Sequence, residues 1–406
     1  MYLKFEWRMT TKELSDDNAK ADNSVEESSL EDEDKSGSDL KMKPWNPNDI
    51  RITTKNFTIR EIYTQIEDKE PEQEKELDLA PDFQRSFVWN TKQQIRLIES
   101  ILLGIPLPVF YFNQDKDGAL QVIDGVQRLT TVKRFMSNQL ELKEEYLEYL
   151  SPLKEATFST LDPATKRRFA VTQIVAHVIE PQTPDDVKFD IFNRVNTGGS
   201  PLSAQEIRHC MSKERSRKFL RKLVESESFD QVMGDYFWRK DSIGQLVRDS
   251  KRMTDREMAL RFCAFHVVPL EKYAEASSLD AFLLDFSRWL DQQAKPSDLK
   301  KLETAFRQAM RNCYEVFGTG AFRRWAPHNQ SPSGRINRAI FESQALALAE
   351  HPPEIVSTHK DAIQKALRKL FKNRDYDTSV SAGTGSYKKV EDRLLKPRKA
   401  LEKVLK

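Results

Sequence analysis

The chain has 406 residues, of which 32% are charged and only 13 are glycine, a composition that suits a helix-rich soluble protein with room for about two domains. Its formal net charge of +2 hides an acidic head, with eleven Asp/Glu against three Lys in residues 11–40, and a basic tail, with thirteen Lys/Arg against six Asp/Glu in residues 361–406. Cys210, Cys263 and Cys313 form no Cys-x-x-Cys pair, and the longest apolar run, near Ile101 to Phe112, is broken by Gly104, Pro106 and Pro108, which argues against disulfide, metal-thiolate and membrane-spanning roles and for a cytoplasmic location.

Residues 1–45 are polar, acidic and serine-rich, and read as a disordered segment. Order is expected from about Trp45. Phe57, Ile59, Ile62 and Ile66 recur at helical spacing, with Thr58 as N-cap. Leu77 and Leu79 suggest a strand running into Pro81-Asp82-Phe83-Gln84-Arg85. Asn90 or Thr91 caps a helix with Ile95, Ile98, Ile101 and Leu102 on its apolar side, and Gly104 ends it. Val109 and Tyr111 form a strand, Asp115-Lys116-Asp117-Gly118 a hairpin turn, and Leu120 to Ile123 the second arm. Asp124-Gly125 then forces a tight turn into a helix carrying Leu129, Val132 and Phe135. Residues 140–165 read as a charged insertion. Residues 167–180 alternate at Phe169, Val171, Ile174, Ala176 and Val178 and read as a strand. A helix from Pro184 to Val195 stops at Asn196-Thr197-Gly198-Gly199, and Ser203 with Glu206 makes a capping box for the next. From Lys213 onward the pattern is helical, with a loop at Asp375–Ser386 before a last basic helix, Tyr387–Lys406. The expected class is α+β, as a disordered segment 1–45, an α+β domain 46–210 and an all-α helical domain 211–406.

The strand–turn–helix at Leu120 to Arg134 leaves free backbone N–H groups and a partial positive charge beside Arg128, a setting that suits a phosphate. Gln84-Arg85 and Gln127-Arg128 are two Gln-Arg pairs, and the arginine fork grips phosphate oxygens two at a time. The competing reading pairs Arg85 with Asp82 and Arg128 with Asp124 as structural salt bridges. Arg194, Asn196–Gly199 and Ser203–Arg208 fit either an anion nest or a tight linker, with Glu206 and Arg208 in reach of a nucleotide or Mg²⁺. The six histidines, His177, His209, His266, His328, His351 and His359, show no metal-ligand spacing, so neither a metal site nor a nuclease centre is expected in this chain. The tail lysines and arginines Lys388, Lys389, Arg393, Lys396, Arg398, Lys399, Lys403 and Lys406 fit either the outer face of a docked helix or a DNA-backbone surface.

The runs PDFQRSFVW, LIESILLGIPLPVFYF, VIDGVQRLTT and IFNRVNTGGSPLSAQEIR, in that order, resemble the N-terminal domain of GmrSD-type restriction endonucleases. More distantly they are similar to the ParB/sulfiredoxin-like nucleotide-binding fold. The resemblance covers about residues 50–270 and implies a small mixed sheet followed by a helical domain. It also implies a nucleoside-triphosphate site, with Mg²⁺. The family's Asp-Gly-Gln-Gln-Arg motif, which binds the phosphates and is needed for hydrolysis, maps onto Asp124, Gly125, Gln127 and Arg128. Gln84 and Arg85 then face it, Thr130 follows in the next turn, and the catalytic roles fall on Asp124, Gln127 and Arg128. Val126 stands where the family carries its first glutamine. Valine neither donates, accepts nor holds a metal-bound water, so binding can survive while hydrolysis is put in doubt. Val126 also excludes sulfiredoxin chemistry, whose reactive cysteine sits at this point. The implied function is a nucleotide-binding regulator or sensor acting on DNA in anti-phage, restriction-type defence. NTP hydrolysis, stimulated by DNA, is its open question; the implied partners are DNA, a separate nuclease subunit and further copies of the chain, and no membrane. The alternative is a non-enzymatic DNA-binding or partner-recruiting module with a degenerate nucleotide site.

Overall fold

The computed structural model describes residues 49–66, 77–79, 89–195, 203–240, 244–381 and 383–405. The acidic head, Gln84, Arg85 and the Asn196–Gly199 turn lie outside the described residues. The chain divides into two compact units, one of them Lys43–Met211 and the other including Ser212–Lys406.

The first unit is α+β. In chain order it runs β1 (Ile52–Thr58), α1 (Ile59–Ile66), β2 (Leu77–Asp78), α2 (Thr91–Leu103), β3 (Phe110–Gln114), β4 (Leu120–Asp124), α3 (Val126–Met136), α4 (Pro163–Val171), β5 (Gln173–Ile179), α5 (Asp185–Val195) and α6 (Ala204–Met211). The five strands form one mixed sheet in the order β1-β5-β3-β4-β2, with β1/β5 and β3/β4 antiparallel and β5/β3 and β4/β2 parallel. Alternation along the strands splits their side chains between two apolar layers. Phe110, Phe112, Val122, Ile174, Ala176 and Val178 meet Ile62, Ile98, Leu129, Phe135 and Phe169 from α1 to α4 on one face. Tyr111, Ile123 and Ile179 meet Val187, Ile191, Phe192 and Ile207 from α5 and α6 on the other.

Side chains cap most helix starts of this unit. Thr58 Oγ1 accepts from the Glu61 N–H, and Asn90 with Gln93 makes a reciprocal box before α2. Asp162 caps α4 and Ser203 with Glu206 caps α6. Phe57 belongs to β1, not to the helix; β1 itself was not foreseen, because Ile52 to Phe57 mixes polar residues into both faces of an exposed edge strand. The stretch expected as a strand from Arg167 begins as a helix. Asp162-Pro163 is a cap followed by proline at the first helical position, so α4 carries Phe169 and Val171 before β5 starts at Gln173.

The second unit contains α7 (Glu214–Val224), α8 (Glu227–Met233), β6 (Trp238–Lys240), β7 (Leu246–Arg248), α9 (Thr254–Val267), α10 (Leu270–Glu275), α11 (Leu279–Gln292), α12 (Pro296–Phe317), α13 (Arg338–Ala349), α14 (Pro353–Thr358), α15 (Lys360–Lys369), α16 (Arg374–Ser381) and α17 (Tyr387–Glu402). It is not wholly helical, since β6 and β7 pair as an antiparallel hairpin. The expected loop at Asp375–Ser386 is mostly α16: Asn373 Oδ1 accepts from the Tyr376 N–H, and Tyr376 and Val380 are buried one turn apart. A chain of alternating charge runs through the core, Arg338 to Glu257 to Arg261 to Glu342 to Arg393, at 3.1, 2.8, 2.8 and 2.6 Å. Such a chain fixes the register of α9, α13 and α17 more than it adds stability, because desolvation offsets the attraction.

Candidate functional site

The turn between β4 and α3 is set by two requirements. Gly125 sits at φ 108°, the left-handed region that favours glycine. A Cβ built there would lie 2.2 Å from Cδ1 of Phe110, so the ring leaves no room for any side chain. Phe110 is buried against the turn, and the Arg128 guanidinium lies over its ring, 4.0 Å from the centroid.

Arg128 is 8% exposed and held on several sides. Nη2 donates to Asp124 Oδ2 at 2.8 Å and to the Val109 carbonyl at 3.2 Å, and Nη1 donates to the Pro108 carbonyl. Burial holds its pKa below the ordinary arginine value, and the Asp124 carboxylate opposes that fall. The structural pairing of Arg128 with Asp124 is therefore real, and it fastens the Pro108–Val109 segment to α3. The Asp124 side chain stays about one-third exposed.

Gln127 is half-buried in the first turn of α3. Its Oε1 is enclosed yet has no hydrogen-bond partner. The helix start carries no side-chain cap either. The amide can turn its NH₂ end to the same place, so the position offers a donor or an acceptor to a bound group. Thr130 is half-buried one turn further on. Val126 is half-buried and packs on the first apolar layer, which gives it a structural occupation. Next to this turn, α6 packs on β4. Its Gln205, Glu206, Arg208 and His209 are all buried, and Arg208 Nε donates to Gln205 Oε1 at 2.9 Å.

The structure thus brings Asp124, Gly125, Gln127, Arg128 and Thr130 together at one helix start. Residues 59–212 match the family described as GmrSD restriction endonuclease, N-terminal domain. This segment belongs to that family. The match begins at the first residue of α1 and ends one residue past α6, taking in the first unit except β1 and well under half of the chain. No curated protein and no solved structure matches the chain.

Within this GmrSD-type domain, the residues that sequence reasoning missed are Pro108, Val109 and Phe110. Two of them act through backbone carbonyls, which leave no trace in residue type. The ring of Phe110 had a faint signal only: a large residue opposite a glycine that must stay small. The restriction-type family match is a property of residues 59–212, and among the described residues no helix is long and apolar enough to cross a membrane.

Proposed function

We propose that the first unit is a ParB/sulfiredoxin-like nucleotide-binding domain of a cytoplasmic regulator that works on DNA in restriction-type defence. The observation that carries the reading is the start of α3, where an uncapped helix and an unpartnered Gln127 carbonyl share one turn in a GmrSD-type segment. A helix start with unclaimed N–H groups favours a phosphate both by hydrogen bonding and by the helix dipole. Gly125 lets the backbone come close, and Gln127 supplies a polar end to fix a phosphate, a ribose or a water.

The residues fit a nucleotide better than a protein-held metal. Asp124 is the single carboxylate of the motif and already pairs with Arg128, so Mg²⁺ would come with the phosphates. When bound, the nucleotide supplies the charge that competes with Asp124 for Arg128. Arg128 then positions, through its remaining N–H groups or by exchanging partners, while Thr130 lines the next turn. Val126 faces the apolar layer, and nothing at that position activates a water. The chain is accordingly a binder first, with slow or absent turnover.

The engagement of Arg128 with Asp124 and two carbonyls favours one rival, a DNA-binding or partner-recruiting module whose nucleotide site has become structural. Calorimetric titration of the full chain with ATP, GTP, CTP and UTP, with and without Mg²⁺, separates the two. Binding of at least one nucleotide supports the first reading. Silence from all four leaves the rival standing.

A further inference from the structure

The basic tail does not behave as one surface. On α17, four of the tail residues that the sequence singles out for DNA are paired within the fold, while Lys399 and, just past the helix, Lys403 are exposed. Arg393 is fully buried on Glu342 at 2.6 Å, Lys396 pairs with Asp375 and Asp392 at 3.0 and 3.1 Å, Arg398 with Glu350 at 2.8 Å, and Lys388 with Glu391 at 2.8 Å. Val390, Leu394 and Leu401 dock the helix on the core.

Two helices earlier the pattern differs. On α15, Ile363 and Leu367 are buried, Arg368 turns inward to the carbonyls of Ala326, Pro327 and Asn329, and Phe371 closes the turn behind it. Lys365, Lys369 and Lys372 are exposed, and so is Arg374 at the start of α16. Lys365 and Lys369 stand one turn apart on α15, and Lys372 follows in the 3-10 turn Leu370–Lys372. Among the described residues, none of the four makes an ion pair, since Asp375 is taken by Lys396 and the exposed Asp361, one turn before Lys365, is not paired with it. The four unpaired cations outnumber the two exposed carboxylates beside them, Asp361 and Asp375.

We propose that this outer face of α15, with Lys372 and Arg374 just beyond it, and not α17, is where the second unit meets the phosphate backbone of a nucleic-acid duplex. The inference rests on the DNA part of the function proposed above and gives it a location. Lysines are point charges on flexible stems, so the contact reads backbone charge and not base sequence. Each phosphate neutralised contributes about −0.9 to the slope of log affinity against log salt.

The test is fluorescence anisotropy of a labelled duplex with the full chain, between about 50 and 200 mM salt. The triple variant Lys365→Gln, Lys369→Gln, Lys372→Gln touches only exposed side chains. It is compared with a variant of equal charge loss on the first unit, Lys55→Gln, Lys92→Gln, Lys116→Gln. The expected result is at least a tenfold loss of affinity and a salt slope flatter by about 3 in the first triple only. Wild-type affinity in that triple, or equal weakening in both, overturns the assignment to α15 while leaving DNA binding in place. A wild-type chain that binds no duplex, or binds anionic-lipid vesicles instead, overturns both the location and the DNA part of the function. Nucleotide titration of the same triple is expected to be unchanged, which keeps the two failures distinct.

Discussion

α3 and α9 start alike and differ in what fills the start. Each is entered from a left-handed residue, Gly125 at φ 108° and Met253 at φ 62°, and neither has a side-chain cap. In α9 the space is occupied from within. Asp255, in the first turn, folds its carboxylate back to accept the Arg256 N–H at 2.8 Å and is 1% exposed. Burial pushes its pKa up to about 6, with Arg256 and Arg248 opposing the rise. In α3 no acid is supplied, and the nearest candidate, Asp124, is drawn back to Arg128. One helix start carries the chain's own acid, and the other carries none in its first turn. The difference is what the proposed role of α3 as a binding element rests on, with α9 as its structural counterpart.

The comparison breaks most severely at Gly125. Gly125→Ala meets both the left-handed φ and the Phe110 ring, and is expected to cost on the order of 3 kcal/mol or more in urea unfolding of the first unit. A variant as stable as wild type would show that the turn is not tightly set.

Asp255 gives the next effect, and it is a pH effect. Its folded pKa is raised, so the stability it contributes is full below the unfolded value near 4 and is lost as pH rises through about 6. Glu61 and Asp162, whose pKa values are lowered by hydrogen bonds from Thr58 and Thr165, act in the opposite sense at lower pH. The difference between wild type and Asp255→Asn isolates the buried group. Wild type is expected to lose on the order of 1–3 kcal/mol relative to the variant between about pH 4 and 7. A difference that stays flat with pH would contradict the closed-start account of α9.

Smaller again is Gln127→Ala. It removes a half-buried amide whose carbonyl has no partner, so stability should change by no more than about 0.5 kcal/mol while nucleotide affinity falls about tenfold. The control is Asn90→Ala on the capped helix α2, expected to lose about 1 kcal/mol of stability and no nucleotide affinity.

What the sequence reveals of this site follows from where its information is stored. The Asp-Gly turn was legible because a positive φ demands glycine, and a cap at Asn90 or Thr91 and the Ser203 box because caps use few residue types. The tie from Arg128 to Pro108 and Val109 was not, since any residue can supply a carbonyl. The α4 to β5 boundary was misread because Phe169 and Val171 in the helix run into the true alternation of Ile174, Ala176 and Val178, although Asp162-Pro163 announced the helix. α16 was misread because serine, glycine and charge outweighed two anchors, Tyr376 and Val380. Gln84 and Arg85, the other half of the expected pocket, lie outside the described residues, and their part in the site stands as a proposal.

The central proposal is that the uncapped start of α3 takes a nucleotide phosphate. Calorimetric titration of nucleoside triphosphates into the full chain, beside Gln127→Ala and Asn90→Ala, tests it most directly. The account predicts saturable binding by wild type, about tenfold weaker in Gln127→Ala and unchanged in Asn90→Ala. Equal affinity in all three proteins, or heat from none of the nucleotides, would contradict it.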